Sequence, residues 1–382
     1  MLPGFLRACQ VMNPEVMNTQ RNLVIIQLSG GNDGLNTIIP YGDDLYYGKR
    51  PRLGVAPDKV LKLTHHMGLN PALRALHSHY EQGELAILNN VGYPNPDRSH
   101  FRAMDIWHTA SHSNEILNTG WIGRYLDSSC EHSYEALQMG GSLSLAMKGK
   151  EKKAITLQNP GRLLQATRSP YFNTISEHTT PEMLSDDNMG YLYKTMVETH
   201  SSARYIFETS KIYSGKTVSY PRNGLASQLR ETAKLICSGL ETRIYYTDLS
   251  GFDTHVGQES RQAHLLQQYA ESISAFVEEL KANDRFKDTL ILTFSEFGRR
   301  VEENASMGTD HGAASNVLLM GGNLKRAGFL NEPPDLANLS SDGDLKFTVD
   351  FRSVYATALE NWLEVKDRSI LNDRSFPLLD FV

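Results

Sequence analysis

Acidic and imidazole side chains of the kinds that bind divalent metals recur along the chain. Carboxylates combined with imidazoles suit zinc, manganese and other borderline cations, whereas an all-oxygen set would favour magnesium or calcium. Asp253 and His255 are two positions apart, so a loop rather than a helix must bring them to one ion. The residue types predict a divalent-metal site, with zinc or manganese favoured and magnesium or calcium as alternatives. Its candidate ligands are Asp33, Asp253, His255, Glu296 and His311.

A serine at the start of a predicted helix is the candidate nucleophile. Residues 99–109 have helical spacing of apolar side chains, and Ser99 occupies the N-cap position, where it would contribute about 1 kcal/mol as a simple cap. Alternatively, its hydroxyl faces a metal at a helix N-terminus, where an alkoxide can form and attack phosphorus or sulfur. His100 and Arg102 would then steady the oxyanion; otherwise they are surface groups beside a cap.

The difficulty of ester hydrolysis favours a metal over a serine–histidine arrangement alone. Phosphate-monoester hydrolysis needs accelerations up to about 10²¹-fold, whereas positioned acid–base groups supply roughly 10² to 10⁴. Charge stabilisation by a cation can provide much of the remainder. The chain also has no G-x-S-x-G segment, which weighs against an ordinary serine hydrolase.

Each candidate residue lies beside the end of a predicted strand. In open parallel sheets, ligands bind beyond the carboxyl ends of the strands, so side chains from several strands can meet there. The recurrence of suitable residues at successive strand ends is more informative than any one of them. The predicted strands are 23–28, 85–88, 243–247, 289–294 and 316–320.

Predicted helices alternate with these strands. The alternation indicates an α/β fold with a mostly parallel central sheet and helices on both faces. Residues 140–224 show little periodicity and are interpreted as a cap or insertion. Because one site must gather residues from Asp33 to His311, we predict a single domain spanning residues 1–382. The predicted helices are 71–80, 99–109, 225–240, 261–281 and 351–363.

Composition excludes several classes of protein. The formal charge of -6, from 38 basic and 44 acidic residues, gives no basic footprint for nucleic acid. No apolar run approaches the roughly 20 residues of a membrane span. The three cysteines have no C-x-x-C spacing, and the first ten residues lack the basic and apolar regions of a signal peptide.

Five motifs closely resemble a bacterial family known as domain of unknown function 1501, which is placed in the alkaline phosphatase and sulfatase superfamily. The resemblance extends from about Leu23 to Gly322 and implies an alkaline-phosphatase-like fold. It implies a metal ligand at Asp33, the nucleophile at Ser99, and metal ligands at Asp253, His255 and His311. The motifs are LSGGNDGLNTIIP, NPDRSHFRAMDIWHTA, GFDTH, TFSEFGRR and TDHG.

The resemblance implies a metal-dependent hydrolase of phosphate or sulfate esters. Its substrate would be a small-molecule or saccharide ester, or an ester linked to the cell envelope, and the protein would be periplasmic or secreted. Two departures from the superfamily pattern motivate an alternative, a non-catalytic binding or assembly protein on the same fold. One residue instead of three separates Asp253 from His255, and Ser295-Glu296 stands where Asp-His is common. A metal-independent serine hydrolase acting through Ser99 is a third hypothesis.

Overall fold

A nine-stranded sheet forms the centre of this computed structural model, which describes residues 20–168 and 188–382. A separate three-stranded sheet has the order β2-β4-β3. The strands are β1 (Asn22–Ser29), β2 (Ile38–Ile39), β3 (Leu61–Lys62), β4 (Gly68–Leu69), β5 (Leu85–Gly92), β6 (Ala136–Met139), β7 (Ile155–Leu157), β8 (Ile244–Ser250), β9 (Thr289–Phe294), β10 (Ser315–Gly321), β11 (Gly328–Phe329) and β12 (Val349–Asp350).

The central sheet has the strand order β11-β5-β10-β9-β1-β8-β6-β7, and β12 also pairs with β5. Strand β10 is antiparallel to both of its neighbours, β5 and β9, whereas the other pairings in this sheet are parallel. The prediction of a mostly parallel sheet is therefore confirmed. Because β10 is reversed, its first residues lie at the edge where β1, β5, β8 and β9 end.

Helices cover both faces of the sheet, as the alternating pattern predicts. Strand β1 shows the two faces, because Leu23 and Ile25 pack with the helices at 100–109, 121–129 and 351–357, whereas Val24 and Ile26 pack with those at 74–81, 224–237 and 258–282. A strand buried on both faces needs a nearly continuous apolar sequence, and residues 23–26 of β1 provide one. The helices are α1 (Asp44–Lys49), α2 (Arg74–Glu81), α3 (His100–Thr109), α4 (Trp121–Ser129), α5 (Pro160–Thr167), α6 (Asn188–Ser210), α7 (Gly224–Cys237), α8 (Gln258–Ala282) and α9 (Phe351–Thr357).

The region interpreted as a cap or insertion, residues 140–224, contributes in part to the main body. Strand β7 pairs with β6 at the edge of the central sheet. Ile206, on α6, is buried in the same apolar cluster as residues of α7 and α8. Residues 169–187 of this region lie outside the described part of the chain.

Among the described residues, no helix combines the length and apolar character required to cross a membrane.

Candidate metal centre

Three histidines and one aspartate meet at the edge of the sheet where most of its strands end. His100 is the first residue of α3, in the connection that follows β5. Asp253 and His255 follow β8, and His311 precedes the reversed strand β10. The four side chains thus come from three separate connections. The structure brings together three of the five sequence-predicted ligands and adds His100 to them.

The Nε2 atoms of the three histidines surround one oxygen, Oδ1 of Asp253. Their distances to this oxygen are 3.5 Å for His100, 3.1 Å for His255 and 3.3 Å for His311. The Nε2 atoms of His255 and His311 are 2.9 Å apart. Neighbouring ligand atoms in a tetrahedral zinc site lie about 3.3 Å apart, given zinc–nitrogen distances of about 2.0–2.1 Å. The spacing of this cluster is therefore that of side chains around one small cation.

Each histidine ring is oriented by a hydrogen bond from its other nitrogen. Carboxylate and carbonyl oxygens accept hydrogen bonds, so Nδ1 carries a hydrogen in all three rings, and each Nε2 presents a lone pair to the cluster when its ring is neutral. Metal-binding histidines are commonly held by such partners. The acceptors are Glu296 Oε1 for His100 at 2.9 Å, Asp310 Oδ1 for His255 at 3.0 Å and the carbonyl oxygen of Arg98 for His311 at 2.8 Å.

The residues present fit a bound cation. His100 Nε2 is buried and has no hydrogen-bond partner among the described residues. The Nε2 atoms of His255 and His311 are 2.9 Å apart, which is repulsive between two lone pairs unless a proton or a metal ion lies between or beside them. His100, Asp253 and His311 each offer a ligand atom within 4.8 Å of the others. These three residues are close enough together to hold one metal ion, and His255 adjoins them.

The surroundings of the cluster keep Asp253 ionised and shift the pKa values of His100 and His311 in opposite directions. Burial would raise the pKa of Asp253, but the hydrogen bond from Arg299 and the positive charge of its guanidinium outweigh burial and lower this pKa to about 2. The hydrogen bond to Glu296 raises the pKa of His100. Burial lowers the pKa of His311, which favours the neutral imidazole. The cluster therefore offers an anionic oxygen and a neutral imidazole at neutral pH.

The buried guanidinium of Arg299 ties together the loops that carry the cluster. It donates to Asp253 Oδ1 at 2.8 Å and to carbonyl oxygens of both the loop after β1 and the loop before β10. Gly30 has a φ of +116°, and a Cβ there would lie 2.5 Å from the amide nitrogen of Asp253. Arg299 belongs to the motif TFSEFGRR but was not predicted as a site residue, since its role depends on contacts with distant loops.

A family model described as "Protein of unknown function (DUF1501)" matches residues 20–372. The chain belongs to the DUF1501 family. This confirms the family that the sequence motifs indicate. No curated protein sequence matches the chain.

Several solved structures are distantly similar to this DUF1501 chain. The lipoteichoic acid synthase LtaP from Listeria monocytogenes has 10% identity and a TM-score of 0.41, covering 92% of this chain and 76% of that one. The sulfatase PsFucS1 from Pseudoalteromonas sp. has 12% identity and a TM-score of 0.40, covering 91% and 68%. The phosphonate monoester hydrolase SpPMH from Silicibacter pomeroyi has 10% identity and a TM-score of 0.39, covering 94% and 78%. Similarity at this level assigns no activity to the DUF1501 chain.

Glu296, a sequence-predicted ligand, lies behind His100. Its side chain is fully buried, and its Oε1 accepts hydrogen bonds from the amide of Gly30 at 2.8 Å and from His100 Nδ1. Its Oε2 is 3.3 Å from the hydroxyl of Ser295. Glu296 therefore orients and polarises His100 in the structure, instead of joining the four atoms at the centre of the cluster.

Asp33 is held away from the cluster by other partners. Its Oδ1 accepts from the amides of Leu35 and Asn36, capping a short 3₁₀ turn. Its Oδ2 accepts from Arg50 at 2.6 Å and from Gln258 at 2.5 Å. A buried carboxylate requires such pairing. Arg50 thus neutralises the carboxylate that the sequence predicts as a metal ligand. The structure does not bring Asp33 to the cluster.

Ser99 occupies the predicted N-cap position of α3, next to the ligand candidate His100. Its side chain is exposed and makes no capping hydrogen bond, while its amide donates to Asp97 Oδ1 at 2.7 Å. Arg102, predicted either to steady the oxyanion or to be a surface group, contacts the loop after α3. Its guanidinium donates to the carbonyls of the loop after α3, including that of Ser113 at 3.0 Å, and so holds this loop.

A cavity of about 520 Å³ opens beside the cluster. Two of the histidines and the carboxylate that orients one of them lie in its wall, so a molecule in the cavity can reach the cluster directly. Arg98 and Arg300 add positive charge to the same wall, and Glu302 and Glu303 add negative charge. The residues that carry this argument are His255, Asp310, His311, Arg98 and Arg300.

Proposed function

We propose that this protein is a metal-dependent hydrolase of phosphate or sulfate esters. The observation that carries the proposal is the convergence of three imidazole Nε2 atoms on one oxygen of Asp253. An imidazole-rich set favours zinc or manganese over magnesium or calcium, which prefer oxygen ligands. The resemblance of the motifs to the alkaline phosphatase and sulfatase superfamily supports the choice of phosphate or sulfate esters.

The ligand set proposed from the structure differs from the one predicted from the sequence. His100, Asp253 and His311 would hold the ion, with His255 as a further ligand, while Glu296 and Asp310 orient two of the rings. A divalent ion at this place would supply Lewis acidity and stabilise negative charge on the ester oxygens. Asp33 and Arg102 have no direct part in the proposed chemistry.

Ser99 remains the proposed nucleophile. Its hydroxyl is exposed and not used as a helix cap, and it is adjacent in sequence to His100. The first amides of α3 point out of the helix N-terminus, where they can donate to the anionic oxygens of an ester. A free hydroxyl and a set of hydrogen-bond donors at the N-terminus of α3, whose first residue is His100, support Ser99 as the nucleophile.

The proposal is tested with chelator-treated protein reloaded with zinc, manganese, magnesium or calcium. We expect hydrolysis of at least one of p-nitrophenyl phosphate, bis-p-nitrophenyl phosphate and p-nitrophenyl sulfate, strongest with zinc or manganese. Ser99→Ala and Asp253→Ala should reduce the rate by at least 100-fold, whereas Ser129→Ala, an exposed serine on α4, should not. Failure to hydrolyse any of the three esters with any of the four ions would refute the proposal.

One observation favours a second function, a non-catalytic binding or assembly protein on the same fold. Asp33 is paired with Arg50, so a site that the superfamily uses for metal is neutralised by the chain itself. Stoichiometric metal that is lost in Asp253→Ala protein, without turnover, would support this function.

Labelling of Ser99 by a fluorophosphonate in the presence of chelator would instead support a metal-independent serine hydrolase.

We also propose a periplasmic or secreted location, because the family resemblance implies export. The test is the distribution of the full-length natural protein between cell fractions. Recovery in the cytoplasmic fraction alone would contradict this location.

A further inference from the structure

Arg300 lies in the wall of the cavity of about 520 Å³ that opens beside the cluster. It is half-buried, and two of the cluster histidines, His255 and His311, line the same cavity. Its carbonyl oxygen accepts a hydrogen bond from Nη2 of the buried Arg50 at 2.8 Å, and its amide donates to the carbonyl oxygen of Asp310 at 2.9 Å. The backbone of Arg300 is therefore held against the residue that precedes His311.

The acidic side chains in this wall have partners of their own. Glu302 pairs with a lysine outside the cavity, Lys49, at 2.5 Å. Glu303 pairs with an arginine outside the cavity, Arg52, at 2.6 Å. The third acid, Asp310, accepts a hydrogen bond from the ring of a cluster histidine at 3.0 Å. Each carboxylate of the wall thus has a direct contact with a group other than the two arginines of the wall.

The two arginines of the wall differ in their contacts with carboxylates. Arg98 pairs with two of them, Asp342 at 2.8 Å and the buried Asp344. Within residues 20–168 and 188–382, Arg300 forms no ion pair, and its one side-chain hydrogen bond runs from Nη1 to the carbonyl oxygen of Asp342 at 2.7 Å. Its charge acts on two of the wall acids only at longer range. Arg300 thus keeps a positive charge that no carboxylate of the described chain contacts directly.

The guanidinium of Arg300 also has hydrogen-bond donors to offer. A guanidinium carries five N–H donors, and the bond to Asp342 uses only one of them, on Nη1. Nε and Nη2 are not among the buried atoms that lack a partner, so they are accessible to solvent. Two parallel hydrogen bonds from these nitrogens match two oxygens of a phosphate or sulfate group.

We propose that Arg300 binds the anionic oxygens of the ester that is hydrolysed at the cluster. Nε and Nη2 donate to two oxygens of the phosphate or sulfate group. This assigns to Arg300 the contact that the sequence suggests for Arg102, whose guanidinium instead holds the loop after α3. The inference rests on the proposed hydrolase function, but the anion site can be tested without turnover.

Calorimetry with inorganic phosphate and with inorganic sulfate tests the anion site on protein reloaded with zinc and freed of unbound zinc. We expect at least one anion to bind, and Arg300→Met to weaken its binding about tenfold or more, because charge-assisted hydrogen bonds are lost. Arg300→Lys should have an intermediate effect, since lysine keeps the charge without the planar pair of donors. Arg326→Met, which replaces an exposed arginine between β10 and β11, should leave binding unchanged.

Steady-state kinetics with the p-nitrophenyl esters give a second readout. Arg300→Met should raise KM about tenfold or more and change kcat less, because Arg300 contacts the anion both before and during the reaction. Circular dichroism verifies that each variant is folded.

Three results would overturn this role of Arg300. They are no binding of either anion, equal anion binding by Arg300→Met and wild-type protein, and a loss of binding in Arg326→Met as large as that in Arg300→Met. Failure of the hydrolase function has a different signature. Anion binding that depends on Arg300, without ester hydrolysis, would remove the proposed reaction and leave the anion site. Hydrolysis with an unchanged KM in Arg300→Met would remove the anion site and leave the reaction.

Discussion

Replacing Glu296 by Gln separates two roles for this residue, metal ligand and partner of His100. Gln has nearly the same volume and retains an oxygen that can accept from Gly30 and from His100, but it lacks the negative charge. If Glu296 were a ligand, the replacement would remove a charged metal–oxygen bond. In the structure it instead weakens a charge-assisted hydrogen bond that lies behind the ring.

The expected loss can be sized from the burial of Glu296. Changes to the partners of metal-binding histidines typically cost 10- to 100-fold in metal affinity, or about 1.4–2.7 kcal/mol. Hydrogen bonds to charged groups are worth about 1.5–3 kcal/mol, and Glu296 is fully buried, so solvent does not screen its charge. We expect Glu296→Gln to lower affinity by about 30- to 100-fold. Asp310→Asn is the matched control. Because the Asp310 side chain is 55% exposed, we expect this replacement to lower the metal affinity at most about tenfold.

The assay is competition for zinc with a chromogenic chelator at pH 7, with circular dichroism to verify folding. A second readout is the His100 titration by NMR in chelator-treated protein. Glu296 raises the pKa of His100. The interaction between the two side chains therefore stabilises the fold below about pH 6.5, and this contribution is lost as pH rises through the raised pKa of His100. Glu296→Gln should remove this pH dependence. Unchanged zinc affinity in Glu296→Gln, or a greater loss of affinity in Asp310→Asn than in Glu296→Gln, would refute the role of Glu296 as the partner that orients His100.

Three further predictions concern groups outside the cluster. Arg50→Met strands the buried Asp33 carboxylate and should lower the free energy of unfolding by about 3–5 kcal/mol in urea titrations; a loss below about 1 kcal/mol would contradict the pairing. Burial lowers the pKa of His108 to about 4, so wild-type protein should lose stability as pH falls from about 6.5 towards 4. His108→Gln should lack this part of the acid dependence, and an identical pH profile would disprove it. Burial raises the pKa of the Cys130 and Cys237 thiols to about 12, so mass spectrometry should show slow alkylation of both at pH 8 until urea unfolds the protein; rapid native alkylation is the contrary result.

The elements that carry the cluster could be predicted from the sequence because their signals are local. The run 289–294 is predicted as a strand and forms β9 with the same bounds. Ser99 lies at the N-cap of α3, as its spacing from the following apolar residues indicates. These assignments need only side-chain type and periodicity, so distant parts of the chain do not alter them.

The partners of the charged residues could not be predicted in the same way. Asp33 meets Arg50, and Arg299 meets Asp253, through folds of loops that no local pattern specifies. A Glu beside a metal cluster can bind the ion or orient a histidine that does, and the sequence is the same in both cases. The structure distinguishes them because it shows the ring of His100 between Glu296 and the cluster.

The direction of β10 explains how His311 reaches the cluster. His311 precedes its strand, whereas Asp253 and His255 follow theirs. In a wholly parallel sheet, a residue before a strand would lie at the opposite edge from residues that follow strands. Strand β10 is antiparallel to both β5 and β9, so its start coincides with their ends. The reversal of one strand is thus what makes a four-residue cluster possible, and it also places Arg98, after β5, within hydrogen-bonding distance of His311.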